Sequence, residues 1–445
     1  MGFAQSGIKV AKNSFDGLPP RLIAVTDGFG VETQIDYSSM TNSRVYRPST
    51  LKSSYPTLSI KGSPKLLVSA VHTEDGQGGK LTTSYRYGDM QVNLRGRGSL
   101  GFAWTETEQQ ASGVISRVEY HQQWPLTGMP KGAQQTLNGK RISSTVNSYG
   151  TRDQWSGKVR FPYVKQRADT TWELNGRAIS TVTTNHSNLD AHGNIQTVKV
   201  TTEGGGQKFI QTTQSQYANN TGLWHLGRLI QATVTHQAYG QTATRISRFQ
   251  YNGEGLLTKE IIQPGHAKAL TTSYSYDSAG NRTAVTLTGQ GISARTSKTF
   301  YDGNRQFPIR SSNALGHSES RTYDPRFGVV TQLTGPNRLS TQWHYDDFGR
   351  KIREQRADGN NTYWQRQWAS DCQSAHPRAV WCLEIRKEGA GLSNTQFDKL
   401  GRQVRSVTTS FDGRHALIDK QYDRQGREFK VSQPYFQGEQ GVFLR

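Results

Sequence analysis

The chain has 445 residues, of which 33% are hydrophobic and 10% aromatic, and its formal net charge is +20. A hydrophobic fraction this low argues against a thick apolar core, while the aromatic content and the small net charge per residue argue against disorder. Aromatic and β-branched residues suit a pleated sheet, and Gly, Pro or a turn pair interrupts most windows before three helical turns could form, so we predict an all-β protein. No apolar stretch is long enough to span a membrane.

Residues 1–150 are not repetitive. Residues 1–16 lack the basic, apolar and small-residue layout of a secretory signal peptide, so we expect synthesis in the cytoplasm. Three glycines within residues 96–101 have the spacing of a dinucleotide-binding fingerprint. That fingerprint needs a helix after it, whereas residues 102–107 have a strand-like composition, so we do not expect nucleotide binding.

Residues 151–240 contain decayed copies of a β repeat. A hairpin is predicted around Asn175-Gly176, because this pair favours a two-residue turn with both residues at positive φ. His186, Asp190 and His192 could approach a metal ion. Because Asp190 also begins a degenerate copy of the turn pattern described next, we favour a turn over a metal site.

Residues 241–433 carry a recurring unit: an aromatic residue, Asp, two free positions, Gly, and then Arg or Asn. Copies begin at positions 251, 276, 301, 323, 345, 397 and 422, so successive starts lie 25, 25, 22, 22, 52 and 25 residues apart. The longest interval is about two periods, with one copy degraded near Trp368. Fixed spacing of this size is typical of stacked supersecondary units. The residues predicted to form the repeat turns are Tyr276, Asp277, Gly280, Tyr301, Asp302, Tyr323, Asp324, Gly328, Tyr345, Asp346, Gly349, Arg350, Phe397, Asp398, Gly401, Arg402, Tyr422, Asp423, Gly426 and Arg427.

Each position of the unit has a physical reason. The aromatic residue ends one strand, and Asp can bond its own backbone two residues later, which starts a turn. Gly accepts the positive φ that the turn requires. Arg begins the return strand, where its guanidinium can reach a carboxylate or lie over a tyrosine. The alternative is that the Tyr and Asp side chains bind sugars, but we favour the structural role because these residues recur wherever the turn does.

The remaining candidates for chemistry are few. Cys372 and Cys382 are the only cysteines, and their separation permits a local disulfide in an oxidising setting. With His376 they lack a further ligand pair at zinc-finger spacing, so zinc is not expected. We predict no catalytic, cofactor-binding or metal-binding residues and no enzymatic activity. Residues 434–445 form a tail without a capping pattern.

The repeats resemble the YD repeats of the Rhs family and of the B and C components of bacterial insecticidal toxin complexes. Residues 97–102, 119–120, 124–128 and 22–30 resemble the middle region of toxin-complex B components and SpvB-like proteins. The likeness extends over most of residues 20–435.

This resemblance implies a strip of β-hairpins that curls into part of a hollow shell around a toxic polypeptide. The expected partners are the other shell components and the enclosed toxin, and the expected destination is outside the cell as part of a toxin assembly. Family members often carry a β-propeller before the middle region and a self-cleaving core end with a variable toxin after the repeats. Residues 1–19 are too short for the propeller, and the chain stops at Arg445, so we expect a separately encoded shell piece or a truncated remnant.

Two other classes of function are alternatives to a role in a shell. A surface protein could bind carbohydrate through exposed aromatic side chains of the repeats. The charge of +20 could attract nucleic acid, but the basic residues are spread along the chain and the repeat itself supplies many of them. Nucleic acid is therefore not an expected partner.

Overall fold

The computed structural model describes residues 21–50, 53–154 and 156–444. Within these residues there are 33 β-strands and a single short 3₁₀ helix, Ala369–Asp371, and no α-helix. The all-β prediction is confirmed. No helix in the described part of the chain is long and apolar enough to cross a membrane.

The strands are numbered in chain order. Strands β1 to β9 are Ala24–Thr26, Glu32–Ser39, Tyr46–Arg47, Thr57–Ser59, Leu66–Glu74, Lys80–Asn93, Gly98–Gln109, Val114–Tyr120 and Pro130–Leu137. Strands β10 to β17 are Lys140–Gln154, Val159–Trp172, Ala178–Leu189, Ile195–Gly204, Gln207–Asn220, His225–Ala238, Gln241–Tyr251 and Leu257–Ile262. Strands β18 to β26 are Leu270–Tyr276, Arg282–Gly289, Ile292–Tyr301, Pro308–Ser312, Ser318–Asp324, Val329–Thr334, Ser340–Tyr345, Lys351–Gln355 and Asn361–Trp368. Strands β27 to β33 are Trp381–Lys387, Ser393–Phe397, Gln403–Thr409, His415–Tyr422, Glu428–Ser432, Tyr435–Phe436 and Phe443–Leu444.

The chain divides into two compact units. Unit 1 contains the described residues up to Thr33, Thr73–Lys80, and the chain from Thr272 onward. Unit 2 contains Gln34–His72 and Leu81–Thr271. The four sequence regions, 1–150, 151–240, 241–433 and 434–445, were drawn from repeat content and remain a prediction.

Unit 2 is a meander of long strands. From β6 to β17 each strand pairs with the next in antiparallel register. The short strand β3 is the exception, since it pairs with β6 in parallel. A small apolar cluster of Met40, Val45, Tyr46 and Leu67 lies at the start of this unit. The buried Tyr46 hydroxyl accepts from the N–H of Met90 at 2.9 Å, so its polar group is satisfied.

In unit 1 the strands are shorter and follow the sequence repeat. From β19 to β31 each strand again pairs with the next. One repeat is two strands and two turns: after Tyr323 come one turn, β23, a second turn, and β24, which ends at Tyr345. The 22-residue period is therefore the length of one hairpin pair.

The buried face near the end of unit 1 contains polar as well as apolar side chains. Alternate residues of β27, β28 and β30 face inward, and among them Asn394 and Gln396 are fully buried. Period-two alternation is what a strand with one covered face shows. The covering segment is the loop at residues 369–380.

Candidate functional site: the repeat turns

The turn at Asp346 shows the geometry that the repeat encodes. The N–H of Asp346 donates to the carbonyl of Arg350 at 2.9 Å, and the N–H of Gly349 donates to the carbonyl of Asp346 at 3.0 Å. Carboxylate oxygen Oδ1 accepts from the N–H groups of Phe348 and Arg350 at 3.0 and 2.9 Å. Oxygen Oδ2 accepts from Nε of Arg350 at 2.6 Å. Three bonds to one carboxylate thus close the turn, and Gly349 takes the required left-handed conformation at φ 71°.

These bonds also fix the charge of the turn. Burial would raise the pKa of Asp346, but the N–H and guanidinium of Arg350 and the N–H of Phe348 hold that pKa below its ordinary value. The carboxylate is therefore ionised at neutral pH and fully engaged. A group in this state is poorly suited to act as a general acid or base.

Three further copies have the same geometry. In each, the Asp N–H bonds to the carbonyl four residues later, and Oδ1 accepts the N–H groups two and four residues later. The side chain of that fourth residue, Asn or Arg, donates to Oδ2. The glycines have φ values from 73° to 85°. These turns begin at Asp277, Asp398 and Asp423.

The turns after Asp302 and Asp324 have other shapes. The N–H of Asp302 bonds to the carbonyl five residues later, and Arg305 takes the positive φ, 58°, that glycine takes elsewhere. At Asp324 the carbonyl accepts from the N–H of Gly328 at 2.8 Å, and the carboxylate binds the N–H and guanidinium of Arg326. Asp302 lies in its turn and Asp324 ends β22 just before its turn, and the two loops differ in length or closure.

The tyrosine that opens four of the copies joins that copy to the preceding repeat. The hydroxyl of Tyr345 donates to the carbonyl of Val330 at 2.6 Å. Burial raises the pKa of Tyr345, so its hydroxyl keeps the proton that it donates. Equivalent bonds of 2.8 to 3.1 Å join Tyr251 to Leu229, Tyr323 to Pro308, and Tyr422 to Gln403. Sequence reasoning gave the aromatic residue only a packing role and missed this bond, although the prevalence of Tyr over Phe was a signal for it.

At some copies, though not at Gly401, the turn glycine has a second reason besides its φ. A Cβ atom added to Gly349 would lie 3.0 Å from Cγ of Phe327, a residue of the preceding repeat. In unit 2, an added Cβ on Gly227 would lie 2.8 Å from Oδ1 of Asn194 in the same way. The absent side chain therefore lets one turn pack directly on the next.

The arginine links neighbouring turns as well as closing its own. Nε of Arg402 donates to Oδ2 of Asp398 at 2.7 Å, and its guanidinium carbon lies 4.9 Å from the ring centroid of Tyr422 in the next repeat. In unit 2, Arg228 lies over Tyr251 at 5.3 Å. A guanidinium over an aromatic face contributes about 0.5–1 kcal/mol at exposed sites.

The decayed copy at Asp190 is a turn of the same design. Its N–H bonds to the carbonyl of Asn194 at 3.0 Å, and Oδ1 accepts from the N–H groups of His192 and Asn194. Oδ2 accepts amide donors from Asn194 and Asn219, each at 2.8 Å. His186 instead lies within 2.8 Å of the carbonyl of Val164 through Nδ1. The structure gives this segment a turn, and no group of three or more His, Cys, Asp or Glu residues in the described ranges could hold a metal ion.

Where the sequence predicts a degraded copy near Trp368, the structure has a longer loop between β26 and β27. Cys372 and Cys382 form a disulfide across it. Gln396 of β28 donates to the carbonyl of Gln373 at 2.6 Å, and Nη1 of Arg405 donates to the carbonyl of Ser374 at 2.7 Å. The disulfide-closed loop therefore satisfies polar groups of the buried sheet face.

The predicted turn at Asn175-Gly176 is wrong in detail. Only Gly176 has positive φ, at 90°, and the N–H of Glu173 bonds to the carbonyl of Arg177. This is a three-residue loop with glycine in the left-handed position. Both residues take positive φ at a different Asn-Gly pair, Asn138-Gly139, where β9 and β10 meet directly. In the repeat turns, the four-residue spacing between Asp and its bonding partner, rather than an Asn-Gly pair, sets the geometry.

The glycine-rich block at residues 96–101 forms the end of a β-hairpin. Gly96, Gly98 and Gly101 all have positive φ, and the block includes the first residues of β7. The segment after it is strand and not helix, so it offers no helix N-terminus to a pyrophosphate.

Comparisons with known proteins agree with this architecture. Residues 8–128 match the family model described as the insecticide toxin TcdB middle/N-terminal region. No curated protein matches the chain in sequence. The predicted resemblance of the middle region to toxin-complex B components is confirmed.

Solved structures of toxin complexes share the fold. A crystal structure of TcdB2-TccC3 without its hypervariable C-terminal region matches with a TM-score of 0.71 and 11% identity, over 95% of this chain and 34% of that one. The complete TcdB2-TccC3 matches with a TM-score of 0.69 and 12% identity, over 93% and 31%. The Tc holotoxin pore of Photorhabdus luminescens matches with a TM-score of 0.71 and 11% identity, over 95% and 33%. This chain spans about a third of each of those chains.

Proposed function

We propose that the chain is a non-enzymatic wall segment of a toxin-complex shell, and that the shell encloses a toxic polypeptide. The observation that carries this proposal is the bonding of the repeat turns. The Asp346 carboxylate closes its own turn, the Tyr345 hydroxyl bonds to the preceding repeat, and Gly349 packs on that repeat without a side chain. Residues used in this way build a continuous sheet surface and leave little for chemistry.

The comparisons support the same function. The matched region is named for an insecticide toxin, and the similar structures are toxin-complex assemblies that contain more than one component. Because this chain spans about a third of those chains, we propose that further shell components complete the enclosure. Their binding to this chain would use exposed strand edges, which pair readily with an added strand.

Carbohydrate binding through the repeat tyrosines fits the structure less well. Tyr345 is half-buried, and its hydroxyl is already bonded to the carbonyl of Val330. A sugar-binding tyrosine needs an open ring face or a free hydroxyl. Nucleic-acid binding is likewise weakened because repeat arginines such as Arg350 and Arg402 are paired with aspartates.

Protease protection tests the proposal. The chain is co-expressed with the polypeptides that neighbouring genes encode. The purified assembly and each separate polypeptide are then treated with trypsin in parallel. We expect one neighbour polypeptide to survive digestion only in the assembly, and electron microscopy to show a hollow body around it. Equal digestion of every neighbour with and without this chain would contradict enclosure.

A glycan array distinguishes the proposed wall segment from a carbohydrate-binding surface protein. We expect no binding above that of a heat-unfolded sample. Glycan binding that is lost in Tyr345→Ala, with the melting curve still cooperative, would instead favour the surface-protein alternative.

A further inference from the structure

Two turns near the beginning of the chain share the backbone hydrogen bonds that the aspartate makes in the repeat turns, although the sequence does not mark them as copies. At Asp27 the N–H bonds to the carbonyl of Val31 at 3.1 Å, Oδ1 accepts from the N–H groups of Phe29 and Val31, and Gly30 has φ 77°. Both turns belong to hairpin tips of unit 1, far in sequence from the repeats of the same unit.

The second of these turns joins β5 to β6. The N–H of Asp75 bonds to the carbonyl of Gly79 at 3.0 Å, and Oδ1 accepts from the N–H groups of Gln77 and Gly79 at 2.7 and 2.9 Å. Gly78, three residues after Asp75, has φ 90°. Asp75 is only 2% exposed, so this tip is covered and not free in solvent.

The tip at residues 74–79 lies against the last two repeat turns. The side-chain amide of Gln77 donates to the backbone carbonyls of Tyr422 and Asp423, 345 and 346 residues away. Glu74 is paired with Nζ of Lys399, 325 residues away.

The hairpin tip also packs closely against the Asp398 turn. A Cβ atom added to Gly76 would lie 2.5 Å from Nη2 of Arg402 and 2.9 Å from Cδ1 of Leu400. Gly76 also has φ 72°, which disfavours any other residue. Position 76 is therefore glycine for two independent reasons, one local and one imposed by the distant repeat turn.

We infer that the Asp398 and Asp423 turns form a binding site for the hairpin tip at residues 74–79. We call the tip together with these two turns the clasp. The clasp places a turn with the same aspartate-to-backbone bonds next to the last two repeat turns and ties the first part of unit 1 to its last part. Its ligand is the Glu-Asp-Gly-Gln-Gly-Gly tip, recognised through the Gln77 amide, the Glu74 carboxylate and a close backbone approach at Gly76. This inference stands on interactions within unit 1 and does not depend on the proposed enclosure of a toxin.

The clasp makes a specific prediction about charge. Glu74 and Lys399 are both partly buried, with side chains 25% and 30% exposed. Glu74→Lys places two ammonium groups together, and Lys399→Glu places two carboxylates together. The double variant E74K/K399E restores an opposite-charge pair in reversed order, so its behaviour separates a direct interaction from general damage to either residue.

Hydrogen exchange of the full-length chain tests the clasp. We expect each single variant to speed amide exchange in residues 398–402 and 423–427 about tenfold, because opening of the clasp exposes both turns. Exchange in residues 346–350, a turn of the same geometry outside the clasp, should stay unchanged. The double variant should return both clasp segments to within about twofold of the wild-type rate.

Lys208→Glu is the matched control. Lys208 pairs with Glu203 at 2.7 Å within one hairpin of unit 2, and both side chains are more than half exposed. This charge reversal should leave exchange in residues 398–427 unchanged. The inference is overturned if the single clasp variants behave like Lys208→Glu, or if the double variant exchanges as fast as the singles.

Discussion

The hydroxyl of Tyr345 donates to the backbone carbonyl of Val330 at 2.6 Å, across the hairpin that separates two successive repeats. The bond anchors this repeat turn to the strand that follows the previous turn, as do the equivalent bonds of Tyr251, Tyr323 and Tyr422. A repeat array held in this way depends on interactions between nearest neighbours.

Replacing Tyr345 measures how much its hydroxyl bond contributes to stability. Tyr345→Phe keeps the ring and removes the hydroxyl, leaving the Val330 carbonyl without that donor. We expect the free energy of unfolding to fall by about 1 kcal/mol, the usual contribution of one such bond. Urea unfolding followed by tryptophan fluorescence provides the measurement.

The control for that experiment is Tyr239→Phe. Tyr239 is 73% exposed and its ring packs edge-on against Phe209, so the loss of its hydroxyl should change stability by less than about 0.5 kcal/mol. Equal effects of the two substitutions would refute a special role for the Tyr345 hydroxyl.

The repeat glycine can be tested by separating its two roles. Gly349→Ala meets both a left-handed φ of 71° and the ring of Phe327, whereas Gly316→Ala meets a φ of 81° with no atom within 4 Å of the new Cβ. We expect Gly316→Ala to cost about 1 kcal/mol from backbone strain alone, and Gly349→Ala to cost at least about 1 kcal/mol more from overpacking. Thermal unfolding of both variants gives the comparison, and an equal loss would show that φ alone selects glycine.

Much of this architecture could be predicted from the sequence, because its signals are local. The Asp, Gly and Arg of a turn lie within five residues, so their pattern survives in copies such as those at Asp346 and Asp423. The hydroxyl bond of Tyr345 joins residues 15 apart and leaves only a preference for Tyr over Phe.

The clasp and the loop at residues 369–380 could not be predicted in the same way. Gln77 meets Asp423 across 346 residues, and no local pattern records such an interaction. The turn at Asp75 lacks the aromatic residue and the final arginine of the repeat, so it does not match the motif. Its identity as a turn of the same type becomes visible only through its hydrogen bonds.

The disulfide gives a third prediction. Cys372 and Cys382 lie ten residues apart and close a loop of that size, so their link should add about 2–3 kcal/mol by restricting the unfolded chain. We expect a reducing agent to lower the melting temperature of the wild-type chain. The Cys372→Ala/Cys382→Ala double variant should melt at the lower temperature with or without reductant, and a reductant effect in that variant would point to another cause.

The carboxylates of the turns predict the response to acid. The pKa of Asp346 lies below its ordinary value in the folded chain, because the N–H and guanidinium of Arg350 outweigh the opposing effect of burial. In the unfolded chain Asp346 has an ordinary Asp pKa of about 4, so it takes up its proton at a higher pH than in the folded chain. The stabilisation is complete above that value and is lost as the pH drops through the lower, folded pKa.

Asp346→Asn isolates this contribution. Asparagine can form the same backbone bonds, as Asn252 does when its side-chain oxygen accepts from the N–H of Leu256 at 2.7 Å, but it does not titrate. We expect the variant to be somewhat less stable than the wild type at pH 7, because the charged bond to Arg350 is lost. Between pH 5 and pH 2 the urea midpoint of the wild type should fall more steeply than that of the variant, so that the two curves converge in acid. Parallel curves across this range would mean that the Asp346 carboxylate has the same pKa in the folded and unfolded chains, and that its bonds to Arg350 and Phe348 do not stabilise the turn.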